Sequence, residues 1–444
     1  MKIQLSSHFS YKTLLKFTLP SIAMMIFTSI YSVVDGFFIS NFAGKTPFAA
    51  INLIMPILMI LGTVGFMFGT GGTALVALTY GQGDKKKANE YFSLLVYSAV
   101  VLGVILAVLG FIFIRRIAML LGAEGELLEN CVIYGRIILV AMPFYVLQVM
   151  FQSFFVAAEK PQLGFVVTLI SGLTNMVLDA VLVIGFPQEM KLVGAAIATA
   201  TAQFAGGMIP LVYFFRKNSS ILRLGKTRFD GKVLLKATTN GLSEFMTNIS
   251  MSIVAILFNS QLMKYSGENG VAAYGVMMYV SMIFTAVFVG FSIGAAPVIS
   301  YHFGAKNSEE LKSLIRKSIV IVGTFGVVMV IVAEVFAGGL AKMFVGYDAE
   351  LYELTLSGFR IFALSFGFMG YGILTSGLFT ALNDGITSAL ISFLRTLVFE
   401  SGAVMLLPLA FGIEGIWYSV VVSEFLALVL GAIFLAANRR KYHY

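Results

Sequence analysis

The chain repeats itself once, 223 residues apart, and that limits it to folds built from two like halves. The segment FGTGGTALVALTYGQGDKKK at 68–87 returns in loosened form as FSIGAAPVISYHFGAKNSEE at 291–310. At the same offset Gly44 falls on Gly267, Ala49 and Ala50 on Ala272 and Ala273, Met55 on Met278, Gly71 on Gly294 and Gly81 on Gly304. The register holds without a gap from 44 to 87. Two homologous halves are therefore expected.

Each half is apolar over long runs. Stretches able to cross a bilayer occur at 13–39, 46–79, 92–114, 131–157, 162–186 and 192–215, then at 236–263, 270–301, 317–341, 351–382, 386–412 and 414–437. With 59% apolar and 12% charged residues and a mean hydropathy of +0.92, the chain has lipid as its solvent. The reading is an all-α polytopic membrane protein of twelve transmembrane helices, six per half. The basic, turn-rich stretch RKNSSILRLGKTRFDGK at 216–232 separates the halves. This divides the chain into an N-terminal lobe (1–218), a linker (219–235) and a C-terminal lobe (236–444).

The net charge of +8 would suit nucleic acid if it formed a patch. With the N-terminus placed in the cytoplasm, twenty-one Lys and Arg fall inside, among them Lys2, the Lys85-Lys86-Lys87 run and the bases of the linker. Six fall outside: Lys45, Arg115, Arg116, Lys191, Lys264 and Lys342. That bias is a topology signal, so no nucleic-acid partner is expected. It predicts a multi-pass protein of the cell inner (plasma) membrane with both termini cytoplasmic. The first span follows Lys12 and Lys16 and lacks a small-residue cleavage site, so it reads as a retained helix. A single cysteine, Cys131, excludes an intramolecular disulfide.

Pseudosymmetric halves of membrane helices are the usual build of alternating-access carriers. Gly44-Lys45-Thr46 and Gly225-Lys226-Thr227 imitate the end of a phosphate-binding loop, but the required first glycine is Ile39 in one and Ser220 in the other. The remaining loops are too short for a nucleotide-binding module. An ion gradient is the expected energy source, with no cofactor beyond the coupling ion. His8, His302 and His443 fall at chain ends or in a loop and form no metal set, so neither a metal site nor an enzyme is expected.

Acids inside apolar spans carry most of the site information, because a carboxylate near mid-bilayer costs about 2.5–3.5 kcal/mol on insertion scales. Asp35, Asp179, Glu244, Glu334, Glu400 and Glu424 sit there. Arg136, Arg360 and Arg395 are the available partners, and Arg395 and Glu400 share a helix. Asn175 and Asp179 are four residues apart and present an amide and a carboxylate on one helix face. If Asp35 meets that face, the group forms either a proton site or a sodium site. Pro20 removes a backbone hydrogen bond within helix one and reads either as a static bend or as a hinge. Met24, Met25, Met59, Met67, Phe151, Phe154, Met246, Met277, Met278 and Met282 could line an adaptable cavity or face lipid.

SVVDGFFISNFAGKTPFAAINLIMP at 32–56, ALTYGQGDKKKA at 77–88, NMVLDAVLVIGF at 175–186, GAAIAT at 194–199 and GIEGIWYSVVVSE at 412–424 together resemble the multidrug and toxic compound extrusion (MATE) family, in its bacterial MepA-like and DinF-like branch. The resemblance spans the whole chain. It implies two six-helix lobes forming a V around a central cavity. It also implies export of amphiphilic, often cationic small molecules against H⁺ or Na⁺, by a protein functional as a monomer. By motif, Asp35 becomes the first-helix acid of the cation site, Asn175 and Asp179 its helix-five partners, and Thr199 a helix-six oxygen. Thr201 is the alternative, because two residues turn a helix by about 200° and only one threonine can face the site. Pro20 matches the first-helix proline whose bending is linked to protonation. Glu244 takes a second-lobe acid role or meets substrate, while helix ten carries Arg360 in mid-span. A flippase for a lipid-linked saccharide, from the same superfamily, is the alternative function. The acids do not repeat: at the 223 offset Asp35 falls on Phe258.

Overall fold

The computed structural model describes residues 3–444, so Lys2 lies outside it. In the first half α1 spans Tyr11–Phe38 and ends in a π turn, Ile39–Ala43. There follow α2 (Lys45–Gly81), α3 (Lys85–Leu120), α4 (Gly125–Ala157), α5 (Pro161–Leu178, with a π turn at Asp179–Val183) and α6 (Lys191–Phe215). In the second half one continuous helical stretch, Leu242–Gly304, is broken at Gly267, which gives α7 (242–266) and α8 (268–304). Then come α9 (Ser308–Val345) and α10, whose two parts, Ala349–Ala363 and Phe366–Ala381, meet at a bend of 47°. The last two are α11 (Gly385–Phe411, with a π turn at Leu394–Glu400) and α12 (Ile413–Tyr442). Ten helices among the described residues are long and apolar enough to cross a membrane. Dividing one at Gly267 and counting the bent α10 as a crossing gives the twelve expected.

In lipid, apolar surface gains little by leaving its solvent, so close backbone packing holds helices together. The first lobe is organised around α4 in this way. Gly65 of α2, Gly103 of α3 and Gly207 of α6 all press on the Pro143–Val146 stretch of α4, where a methyl group on any of them would come within 2.8 Å of its backbone. Beside this contact Phe92, Phe151, Phe154, Phe155 and Phe214 fill the lobe interior with stacked and edge-on rings. Phe151 and Phe154 are therefore packing residues, and neither lines the large cavity of the second lobe. Val101, Ile112 and Val108 of α3 face outward, as lipid contact requires.

The repeat is visible in the backbone. Gly44 and Gly267 both take positive φ, 108° and 59°, at the turn between the first two helices of each lobe. Gly83 and Lys306, and Glu159 and Asn383, are further repeat partners that share positive φ. Where the lobes meet, the contacts are reciprocal. A methyl group on Gly81 would lie 2.1 Å from the Tyr301 carbonyl oxygen, and one on Gly304 would lie 2.1 Å from that of Leu78. Thr18 packs on Gly294, and Ser21 and Ile22 pack on Gly290, in the same half of the molecule. Farther along, the Ser29 hydroxyl reaches the Met282 carbonyl at 3.4 Å. The lobes form a V joined at the Gly81–Gly304 end.

The span predicted to start at 236 begins later. Gly231–Asn240 is a separate amphipathic helix capped by Asp230, whose carboxylate accepts from the Lys232 and Val233 amides. It ends at Asn240, a buried residue whose amide donates to the Gly71 carbonyl at 3.2 Å and the Thr380 carbonyl at 3.0 Å, tying α2 to α10. Ahead of it the linker runs along α3, with the Arg223 amide on Asn89 and the Thr227 hydroxyl on the Glu90 carbonyl.

Candidate functional site

Helix five is brought to helix one by Gly172. A methyl group there would lie 2.5 Å from the Phe27 ring and 2.7 Å from the Tyr31 ring. One and two turns further along α5 come Asn175 and Asp179, and one turn beyond Tyr31 along α1 comes Asp35. The contact therefore delivers Asp35 to the face that carries the amide and the second carboxylate, and Asp35 interacts with both. The meeting that periodicity left open takes place.

Asp179 is fully buried and Asn175 nearly so. Asp35 Oδ1, Asn175 Oδ1 and both Asp179 oxygens are shielded from solvent, and among the described residues none has a hydrogen-bond partner. Uncompensated buried oxygens of this kind are costly, and a cation or a proton relieves the cost. Asn175 Nδ2 points the other way and donates to Thr199 Oγ1 at 3.5 Å. Thr201 is turned from the group, exposed, with its hydroxyl on the Ile197 carbonyl of its own helix at 2.7 Å. Thr199 is thus the threonine beside the acids.

Two tyrosines complete the surroundings and were not picked out from sequence. Tyr31 is four residues before Asp35 on the same face, a spacing that could have revealed it, and its hydroxyl contacts Gln148. Tyr134, buried on α4, lies within electrostatic reach of Asp35 and Asp179 and contacts Thr199. Nothing in the spacing of α4 links it to α1. Pro20 is distant from this group, and α1 runs through it without a break in helical geometry.

The second lobe holds a cavity of about 350 Å³. Glu244, Tyr274, Arg395, Glu400 and Glu424 line it, with Met278 the one residue of the expected Met and Phe set to do so. Arg395 Nε and Nη2 donate to the two Glu424 oxygens at 2.9 and 2.6 Å, a bidentate pair between α11 and α12. Of the other expected partners, Arg360 is 3.9 Å from Glu334 in an exposed pair, and Arg136 lies over the Phe111 ring at 4.9 Å. His302, expected in a loop, is buried in the last turn of α8 against the Phe9 ring. His8 meets Glu310 at 2.7 Å.

A family model, MatE, matches residues 20–181 and 245–401. The chain belongs to the MATE family. The MATE relatives include the multidrug export protein MepA of Staphylococcus haemolyticus strain JCSC1435, 27% identical over 431 residues, 97% of this chain and 94% of that protein. MepA of Staphylococcus aureus strain MRSA252 is 26% identical over 416 residues, covering 93% and 91%. Among solved structures, an outward-facing multidrug resistance MATE transporter of the MOP superfamily superposes with a TM-score of 0.92 at 21% identity, over 98% of this chain and 97% of that one. A MOP superfamily transporter from Pyrococcus furiosus Vc1 gives 0.90 at 21%, over 98% of both. These likenesses confirm the twelve-helix MATE fold. The chain is a polytopic membrane protein of a transporter family.

Proposed function

We propose that this chain is a multidrug exporter that moves amphiphilic, often cationic compounds out of the cell in exchange for H⁺ or Na⁺. The observation that carries this reading is the set of four buried oxygens on Asp35, Asn175 and Asp179 that have no hydrogen-bond partner among the described residues. Three of them belong to carboxylates, and a site of that kind takes up a cation or proton when open to one side and releases it when open to the other. Asp35 and Asp179 carry the exchanged charge, and Asn175 and Thr199 supply neutral oxygens. Pro20 is the hinge in α1, where the Lys16 carbonyl loses its amide donor. Glu244 faces substrate in the second-lobe cavity.

The positive-inside bias sets the termini and the Gly81–Gly304 seam in the cytoplasm, so this conformation is open outward across the plasma membrane. The protein works as a monomer, with the coupling ion as its only cofactor. The MepA relatives, matched over nearly their whole length, support drug export as the class of work.

The test is drug uptake into proteoliposomes under separately imposed pH and sodium gradients. Asp35→Asn is expected to abolish gradient-driven transport. Wild-type rates in that variant would sink the site. The imposed gradient that drives the wild type identifies the ion, and a transporter that moves only lipid-linked saccharide under these conditions would be a flippase instead.

A further inference from the structure

The segment ahead of α1 is tied to both lobes where they meet. Leu5 is 1% exposed and Phe9 fully buried, in one apolar cluster with Phe17 of α1 and with Val298 and Leu314 of the second lobe. Between them the chain makes a turn, with the Ser7 amide on the Gln4 carbonyl at 3.1 Å. The Leu5 amide donates to Glu159 Oε1 at 2.9 Å, in the α4–α5 turn of the first lobe. Glu159 is within electrostatic reach of Tyr80, the neighbour of Gly81 in the seam. Four residues after Leu5, the Phe9 amide donates to Glu310 Oε1 at 2.9 Å, in the first turn of α9 in the second lobe. The other Glu310 oxygen meets His8 Nδ1 at 2.7 Å. Two turns along α9, Lys317 donates to the Phe9 carbonyl, and the His302 ring of α8 stands edge-on to the Phe9 ring.

The repeat separates the two ties. Ahead of α7, Lys236 reaches the α10–α11 turn of its own lobe, donating to the Asn383 carbonyl at 2.7 Å, so the Leu5–Glu159 tie has a counterpart at the repeat partner of Glu159. The residues that hold Phe9 have none. At the 223 offset Glu310 falls on Lys87, His302 on Thr79 and Lys317 on Leu94. Geometry then limits what the segment can follow. Four residues span about 14 Å at full stretch, and the turn at Ser7 shortens that, so both ties hold only while the lobes are together. Ser10 caps α1 immediately after Phe9, and α1 moves with the first lobe. Parting the lobes at this end therefore pulls Phe9 off Glu310, His302 and Lys317.

We propose that residues 3–9 are a lock on the Gly81–Gly304 end of the V, closed in this conformation and released each time the chain opens to the other side. Glu310 is the catch. It holds a backbone amide with one oxygen and a side chain with the other, and hydrogen bonds to a charged group are among the stronger ones. Glu159 keeps the released segment with the first lobe, so that it can close again. The inference rests on the alternating access contained in the exporter reading, but the lock is read from distances, with neither drug nor gradient present.

The experiment measures interlobe distances by electron resonance, with spin labels at Lys86 and Lys312 of the full-length protein. Glu310→Ala is expected to raise the long-distance population about tenfold or more. Deleting residues 3–9, which leaves the Ser10 cap of α1 in place, should raise it at least as far. Adding Glu310→Ala to the deleted chain should then change nothing further, because the catch has lost what it holds. Glu309→Ala, at the exposed acid next door, should match wild type. Wild-type distances in either Glu310→Ala or the deletion overturn the lock. An effect of Glu310→Ala that persists in the deleted chain belongs to the packing of α9 and overturns it as well. A third variant leaves the segment and its catch untouched: where Gly81→Ala lengthens the distances, amide exchange over residues 3–10 should quicken, and unchanged exchange overturns the lock. Distances that shift as expected, with no gradient-driven uptake by wild type, would fault the exporter reading alone. Active uptake with unshifted distances in Glu310→Ala and in the deletion would fault this inference alone.

Discussion

Gly81 and Gly304, partners in the repeat, each rest against the backbone of the other lobe, and each would place a methyl group 2.1 Å from a carbonyl oxygen there. The oxygens belong to Tyr301 and Leu78, which are repeat partners too. The seam is isologous in the manner of a two-fold dimer interface, made within one chain.

Because backbone cannot yield as a flexible side chain can, Gly81→Ala and Gly304→Ala should each cost the joined state about 1–3 kcal/mol. The population open on the opposite side should then rise by about fivefold or more. Spin labels at Lys86 and Lys312, with interlobe distances read by electron resonance, check this. Unchanged distances in both variants would contradict the seam.

Thr199 and Thr201 should separate cleanly. Thr199→Ala removes the oxygen that orients Asn175, so gradient-driven transport should fall several-fold while expression stays normal. Thr201→Ala should leave transport within about twofold, since its hydroxyl serves its own helix. Transport assays on the two variants side by side decide it.

The Arg395–Glu424 pair is bidentate and largely buried, with side-chain exposures of 16% and 7%. Removing one member with Glu424→Leu should destabilise the protein by about 3–5 kcal/mol, because the other charge is left alone. Removing both with Arg395→Met and Glu424→Leu should cost less than the sum. The exposed Arg115–Glu129 pair should contribute about 1 kcal/mol or less. Apparent unfolding midpoints in detergent for the single and double variants measure the difference.

Asp384, ahead of α11, anchors the end of α12. It accepts from Tyr442, from Lys441 at 3.0 Å and from the Thr387 amide at 3.2 Å. Burial pushes its carboxyl up, but these donors outweigh that and hold it below its ordinary 3.8. A depressed folded value means that the anchor contributes fully above the unfolded value and is lost as pH falls through the folded one. Proteolysis of the C-terminal end should therefore be slow and constant from neutral pH down to about 5 and should accelerate only in stronger acid. Asp384→Asn should be cut faster at neutral pH and lose most of the pH dependence.

The amino-acid sequence alone determined the lipid solvent, the twelve crossings, the doubling of the fold and the identity of the first-lobe acids. Hydropathy, charge bias and the Asn175–Asp179 spacing are local or periodic properties, and they survive whatever packs against them. The glycine matches at 44 and 267 and at 81 and 304 were likewise legible, though their jobs, two positive-φ turns and a seam, were not. Only the tertiary structure decided which faces meet. It placed Asp35 on the Asn175–Asp179 face through the contact at Gly172, chose Thr199 over Thr201, and added Tyr134 from a helix with no sequence link to the site. It also assigned Phe151 and Phe154 to the packed interior. Arg395, which sequence could pair with Glu400 on its own helix, instead grips Glu424 on α12. Helical rotation and interhelical contact set those choices, and a π turn shifts every side-chain direction beyond it by an amount that spacing on an ideal helix cannot predict.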